Sequence, residues 1–204
     1  MSFIDTKSGH TLSISSVCVY CGASNDVTPD FKTLAQDLGQ ALAQHNLQVV
    51  YGGGHVGLMG IIADSALKAG AKVIGIIPEH IRKMEVQHTG LTELHVVADM
   101  HTRKRMMVDR SDAFVILPGG LGTLDESFEI LTWKKLNLHN KPVIIFNYKG
   151  YWAPLLKLID STIKEGFSRP SDAALYKVVT TIDELFEVLD SETKPPIASL
   201  TGRI

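Results

Sequence analysis

The chain lacks the marks of several large protein classes. It has only two cysteines among 204 residues. They stand as Cys18-Val19-Tyr20-Cys21, and no second pair completes a four-sulfur zinc site. The pair falls in or at the end of a strand-like run, where positions three apart face opposite ways. Redox pairs normally sit at a helix start, so the favoured reading is two separate small thiols. No uninterrupted apolar run approaches the length of a membrane span. Neither sign of charge dominates: 20 Lys+Arg against 22 Asp+Glu leave a formal net charge of −2. No global field therefore recruits nucleic acid or an anionic membrane. None of the eight histidines forms an H-E-x-x-H or a tight group with cysteine, so no metal site is expected. There is no G-x-x-x-x-G-K-[ST], which speaks against P-loop nucleotide hydrolysis. The first twelve residues, Met1 to Leu12, include polar and charged side chains and no long apolar core, unlike a secretory signal. A cytoplasmic enzyme or binding protein is the resulting expectation. Internal repeats, low-complexity blocks and a dividing linker are also missing.

What is present has an ordinary soluble composition. With 204 residues the chain can form one domain with a sizeable core. The predicted extent is a single domain over 1–204, with a core at about 13–190 and a C-terminal tail at 191–204. Strand-like apolar runs occur at 15–20, 47–51, 72–77, 93–97, 113–117 and 142–147. Helical patterns lie between them at 29–45, 57–69, 100–110, 121–135 and 151–165. A last short helix is predicted at 181–189, with Thr181 as cap and Glu184 as its capping-box partner. Strict alternation of buried-type strands with helices predicts an α/β fold. The form expected is a single Rossmann-like, doubly wound domain, its mainly parallel sheet flanked by helices. Ligands in such sheets bind beyond the carboxyl ends of the strands. Loops leaving that edge, at 21–25, 52–57, 78 onward, 99–103 and 118–126, carry glycines or functional side chains.

The richest loop is Pro118-Gly119-Gly120-Leu121-Gly122-Thr123-Leu124-Asp125-Glu126. Its glycines allow close approach of backbone to a ligand, and the helix that follows points free N–H groups outward. Such a start is a ready phosphate site. The Thr123 hydroxyl adds a donor, and Asp125 and Glu126 set carboxylates beside it. A second cluster is Tyr51-Gly52-Gly53-Gly54-His55-Val56-Gly57-Leu58-Met59-Gly60. Gly52, Gly54 and Gly57 satisfy G-x-G-x-x-G, with Glu79 about twenty residues on, the outline of a dinucleotide fingerprint. An NAD-dependent oxidoreductase is therefore one reading. It leaves the 118–126 loop unexplained, and Glu79 sits past a strand end. Two glycine loops on one edge better suit a compact nucleotide held between them, although glycines also serve tight turns.

Met100-His101-Thr102-Arg103-Lys104-Arg105 is a basic helix start, which opposes the helix dipole. Taken alone it reads as a solvated face. Beside an anion loop, it suggests pairing with phosphate or carboxylate, for which the planar arginine fork is suited. Ser24 ends a strand and could donate to phosphate, although a lone serine there is more often a turn residue. Trp133, with Ile130 and Leu131, has the apolar spacing of a core or subunit interface.

Taken together, these motifs resemble the LOG ("Lonely guy") family of cytokinin riboside 5′-monophosphate phosphoribohydrolases, long labelled possible lysine decarboxylases. The paired motifs are P-G-G-x-G-T-x-x-E and G-G-G-x-x-G-L-M-G. Further matches are Val19-Tyr20-Cys21-Gly22, Met100-His101-x-Arg103-Lys104, and Thr132-Trp133 followed by Lys141-Pro142-Val143. The likeness spans 15–189. No stretch suggests the pyridoxal-binding lysine that a decarboxylase needs. The resemblance implies hydrolysis of the N9–C1′ bond of an adenosine 5′-monophosphate, N6-prenylated or plain, to free base and ribose 5-phosphate. The implied catalytic pair is Arg103 and Glu126. Implied substrate contacts are Glu85, Lys104, Thr132 and the loop residues Gly119, Gly120, Leu121, Gly122, Thr123, Leu124 and Asp125. Gly53, Gly54, Ser24 and Met100 join the candidate set from their loops. A homodimer with the site near the subunit interface is implied, and no cofactor or metal. The chain has Asp125 where many members have Glu, and Ser127 in place of an apolar residue.

Residue chemistry fits this reaction. Cleaving an N-glycosidic bond passes through an oxocarbenium-like sugar, which a nearby carboxylate can stabilise or relieve by activating water. A held phosphate fixes the ribose against that carboxylate. The alternatives are a plain AMP nucleosidase and a nucleotide sensor or carrier without turnover. A pure binder needs no carboxylate near a phosphate, so Arg103 and Glu126 argue against the last.

Overall fold

The computed structural model describes residues 14–82 and 86–193. Glu85 and the greater part of the expected tail, 194–204, lie outside the described residues. The strands are β1 (Ser16–Tyr20), β2 (Gln48–Tyr51), β3 (Val73–Pro78), β4 (Glu93–Val97), β5 (Ala113–Ile116), β6 (Val143–Phe146) and β7 (Lys177–Val179). The α-helices are α1 (Pro29–Gln44), α2 (Gly57–Lys68), α3 (Met100–Asp109), α4 (Leu121–Lys135), α5 (Ala153–Lys164) and α6 (Ile182–Thr193). All strands pair in parallel in one sheet ordered β4-β3-β2-β1-β5-β6-β7.

Alternation along each strand divides the apolar side chains between two cores. Val17, Val19, Val49 and Val115 pack with Leu38, Ile62 and Leu185, which belong to α1, α2 and α6. Cys18, Tyr20, Val50 and Phe114 pack with Met107, Ile130 and Leu155, which belong to α3, α4 and α5. Every residue of β1, β3, β5 and β6 is buried, as a parallel sheet covered on both faces requires. The two cysteines are free and sit in opposite cores, Cys18 with α3–α5 and Cys21 with α1 and α2.

Order in the sheet runs outward from β1 to β4 and then returns through α3 to β5, on the other side of β1. This reversal is the topological switch point, where such sheets open a crevice at their carboxyl edge. The seam is tight at that end. The Leu117 N–H donates to the Tyr20 carbonyl at 2.9 Å, and the Gly22 N–H to the Pro118 carbonyl at 3.0 Å.

Three departures from the predicted elements have local causes. β7 is three residues long with two of them exposed, too short and wet for an apolar run. α5 starts at Ala153 because Lys149 turns left-handed at φ 51° and the Asn147 side chain accepts from the Trp152 N–H at 2.7 Å. α6 continues to Thr193, past the predicted end at 189 and into the predicted tail. The Thr181–Glu184 capping box forms, with the Glu184 N–H donating to Thr181 Oγ1 at 3.2 Å and the Thr181 N–H to Glu184 Oε2 at 3.3 Å. No helix among the described residues is long and apolar enough to cross a membrane.

Candidate active site

A cleft of about 630 Å³ opens beyond the carboxyl ends of β1 and β5. Its floor is the loop after β5. Gly120 is the N-cap of α4 and no side chain caps this helix, which leaves its first-turn amides facing the cleft. Gly119 must be glycine on steric grounds. A Cβ there would lie 2.1 Å from Thr123 Oγ1 and 2.9 Å from the Gly22 nitrogen. Thr123 is buried, and its carbonyl accepts from Ser127 Oγ at 2.5 Å. The Ser127 hydroxyl thus makes its bond within its own helix.

Arg103 enters from α3, which starts one residue after the Asp99 cap. The Asp99 side chain accepts from the Thr102 N–H at 2.7 Å, and this bond holds its carboxyl below the usual range. The capping carboxylate offsets the unfavourable placing of cations at this helix start. Arg103 is 4% exposed. Its Nε donates to the Ile76 carbonyl at 3.1 Å and its Nη2 to the Gly52 carbonyl at 3.0 Å. Half-buried Glu126 shares the cleft with it. The Cys18 thiol beneath reports both charges. Burial pushes it far above an ordinary thiol, the negative charge of Glu126 adds to the rise, and Arg103 opposes it.

Lys104 does not line the cleft; it joins α3 to α4. Its Nζ lies 2.8 Å from Asp125 and 2.6 Å from Glu129. Burial alone would depress this ammonium, but hydrogen bonds to the two carboxylates outweigh burial and hold it above the ordinary lysine range. The remaining walls are apolar: Val27, Phe31, Leu58, Met59, Ile81 and Tyr151. Phe31 and Tyr151 meet edge to face, with centroids 5.5 Å apart. The Tyr151 hydroxyl donates to the Gly119 carbonyl at 2.7 Å. Leu58 and Met59 belong to the second glycine cluster, whereas Phe31 and Tyr151 carry no motif, being a helix-start phenylalanine and a post-strand tyrosine. A weak signal was there: both sit just past loops at the carboxyl edge.

Of the candidates named from sequence, Ser24, Met100, Arg103, Gly119, Gly120, Gly122, Thr123, Asp125 and Glu126 line the cleft. Lys104, Leu121, Leu124, Thr132, Gly53 and Gly54 do not. Leu121 is 85% exposed, and Leu124 packs on the α3–α5 core. Thr132 lines a separate groove with Phe128, Lys135 and Leu158. Gly53 is a left-handed turn at φ +80°, and Gly54 forms an antiparallel bridge with Gln87. At the start of α2 the Gly57 N–H donates to Asn25 Oδ1 and the Leu58 N–H to the Gly22 carbonyl, both at 3.0 Å. Amides that a dinucleotide loop would offer to pyrophosphate are therefore taken, which removes the structural basis of the oxidoreductase reading.

The described residues also bring His55, Asp64 and His88 together, with ligand-type atoms within 4.8 Å of one another. Asp64 accepts from His55 Nε2 at 3.0 Å and from His88 Nε2 at 2.9 Å. The His88 Nδ1 accepts from the Gly90 N–H at 3.0 Å. That bond leaves the ring proton on Nε2, pointing at Asp64. The trio thus fastens the β3–β4 connection to α2 by hydrogen bonds, and a metal would have to displace that proton.

Fold and cleft together define a doubly wound α/β protein with a glycine-lined crevice at its switch point. Residues 59–193 match a family described as "Possible lysine decarboxylase". A protein of Rhodococcoides fascians named cytokinin riboside 5′-monophosphate phosphoribohydrolase is 49% identical over 157 residues, which cover 76% of this chain and 79% of that one. LOG3 of Arabidopsis thaliana, of the same name, is 41% identical over 174 residues, covering 85% and 81%. The chain belongs to this LOG family. Among solved structures, the Moco carrier protein of Chlamydomonas reinhardtii superposes with a TM-score of 0.68 at 20% identity, covering 88% of this chain and 98% of that one. The molybdenum cofactor binding protein of Rippkaea orientalis gives 0.67 at 23% identity, covering 89% and 99%. At these identities the likeness is one of fold.

Proposed function

We propose that this protein hydrolyses the N-glycosidic bond of N6-modified adenosine 5′-monophosphates, releasing the free base and ribose 5-phosphate. One observation carries the reading: an anion cradle at Gly119–Thr123, the Glu126 carboxylate and the buried Arg103 guanidinium share a single cleft. The names of the relatives support it. No lysine lines the cleft among the described residues.

In this reading the 5′-phosphate sits on the free amides of α4 and fixes the ribose. Glu126 stabilises positive charge at C1′ as the N9–C1′ bond breaks and steers water onto that carbon. The water supplies hydroxyl to C1′, and its proton leaves with the base. Arg103 holds Glu126 and the anionic end in register. The apolar wall of Phe31, Ile81 and Tyr151 suits a base with an apolar N6 substituent, and plain AMP is the second substrate. The protein acts as a homodimer, for which Leu121, Phe128, Leu136 and Leu138, exposed on or just past α4, supply apolar surface.

The test is incubation with AMP and with isopentenyl-AMP, measuring base and ribose 5-phosphate. Release is expected, faster from the prenylated nucleotide. Glu126→Gln should lose nearly all turnover and still bind nucleotide. Absence of release above that control would favour a nucleotide carrier, and full activity in Glu126→Gln would remove its catalytic role.

A further inference from the structure

We propose that Gly52 is a positioning residue for Arg103, so that the second glycine cluster is in part a socket for a guanidinium. The inference rests on the reading of Arg103 as part of the catalytic machinery.

A Cβ built on Gly52 would lie 2.0 Å from Arg103 Nη2 and 3.1 Å from Cζ. Its third neighbour, Met59 Sδ, is at 3.4 Å, an ordinary contact. The space a side chain would fill is thus occupied by the end of one other side chain. That end is held from below by two backbone carbonyls, Gly52 at Nη2 and Ile76 at Nε. Met100 Sδ stands 3.7 Å from Nη1. These contacts set the plane of the fork at the carboxyl ends of β2 and β3.

Backbone conformation does not explain this glycine. Left-handed φ values occur at Gly53 and Gly57, but not at Gly52. Alanine at 52 is therefore compatible with the local chain, and its methyl meets only the end of a flexible side chain. Gly52→Ala should leave the fold in place and push the guanidinium out of its socket.

The experiment compares wild type, Gly52→Ala, Arg103→Ala and the double variant, by turnover of isopentenyl-AMP, nucleotide affinity and melting temperature. Gly52→Ala is expected to lower kcat about 100-fold, the scale of a misplaced catalytic group. Nucleotide affinity should change by much less. In the Arg103→Ala background the same alanine should cost no further activity, and its effect on melting temperature should disappear. Full turnover in Gly52→Ala alongside an inactive Arg103→Ala would overturn the socket. So would an equal drop in melting temperature with and without Arg103, since the methyl would then act on packing alone. Full turnover in Arg103→Ala would instead overturn the catalytic reading, and the melting cycle would still decide whether the socket exists.

Discussion

The Tyr151 hydroxyl and the Gly119 carbonyl stand 2.7 Å apart, a bond that fastens the segment after β6 to the proposed cradle after β5. The donor is a wall residue and the acceptor belongs to the floor, so the bond sets the orientation of the Gly119–Gly120 peptide. Tyr151→Phe keeps the edge contact with Phe31 and deletes only this hydrogen bond. Its net worth of about 1 kcal/mol corresponds to a KM raised roughly five-fold, with kcat near wild type. Steady-state kinetics on isopentenyl-AMP check this, and an unchanged KM would show that the bond does not steer the cradle.

The glycines of the cradle should separate by substitution. Gly119→Ala sets a methyl against Thr123 and the Gly22 backbone, and should cost about 1–3 kcal/mol of stability through overpacking. Gly122, on the first turn of α4, has nothing within 4 Å of its built Cβ, so Gly122→Ala should melt at or above the wild-type temperature. Thermal melts of the two variants test the order.

At the other end of β1, Asp112 Oδ2 accepts from the backbone nitrogens of Ser15 and Ser16, each at 2.9 Å, and from both hydroxyls at 2.8 Å. Burial works against its charge, but these bonds outweigh burial and hold the carboxyl below the usual Asp range. The folded value lies below the unfolded one, so the unfolded chain binds the extra proton. Its contribution is full above the ordinary Asp value of about 4 and fades as pH falls through the folded value. Asp112→Ala should therefore cost about 1–3 kcal/mol at pH 7, with the gap to wild type closing in acid. Urea titrations at pH 7 and pH 3 measure it.

Cys18 is fully buried, and burial raises its thiol far above the ordinary range. The thiolate is the reactive form, so Cys18 should resist iodoacetamide in the native protein and alkylate only on unfolding. Mass spectrometry of labelled peptides reads this directly. Rapid native labelling would mean that the α3–α5 core opens locally.

Fold and floor were legible because they rest on periodic or contiguous signals. Buried runs alternating with helices marked six of the strands within a residue or so, and the 118–126 loop declared its own chemistry. Arg103 was legible as a cation placed against the dipole, a placement that the Asp99 cap makes tolerable. What escaped depends on tertiary approach. Phe31, Ile81 and Tyr151 meet only once α1, the β3–β4 connection and the segment after β6 converge. Lys104 sits beside Arg103 in sequence, yet the helix turns it toward Asp125 and Glu129. Gly52 matched a phosphate-loop pattern, and its neighbour in space is a guanidinium.

The Tyr20–Leu117 and Gly22–Pro118 bonds carry the β1–β5 ladder past the last strand residues, so the cradle is a continuation of the sheet. The apolar walls arise from four other stretches: the β1–α1 region, the start of α2, the β3–β4 connection and the segment after β6. Anchorage and recognition thus descend from separate stretches of chain. Substitutions at Phe31 or Ile81 can therefore redraw the walls of the cleft while the sheet still fixes the course of the loop after β5.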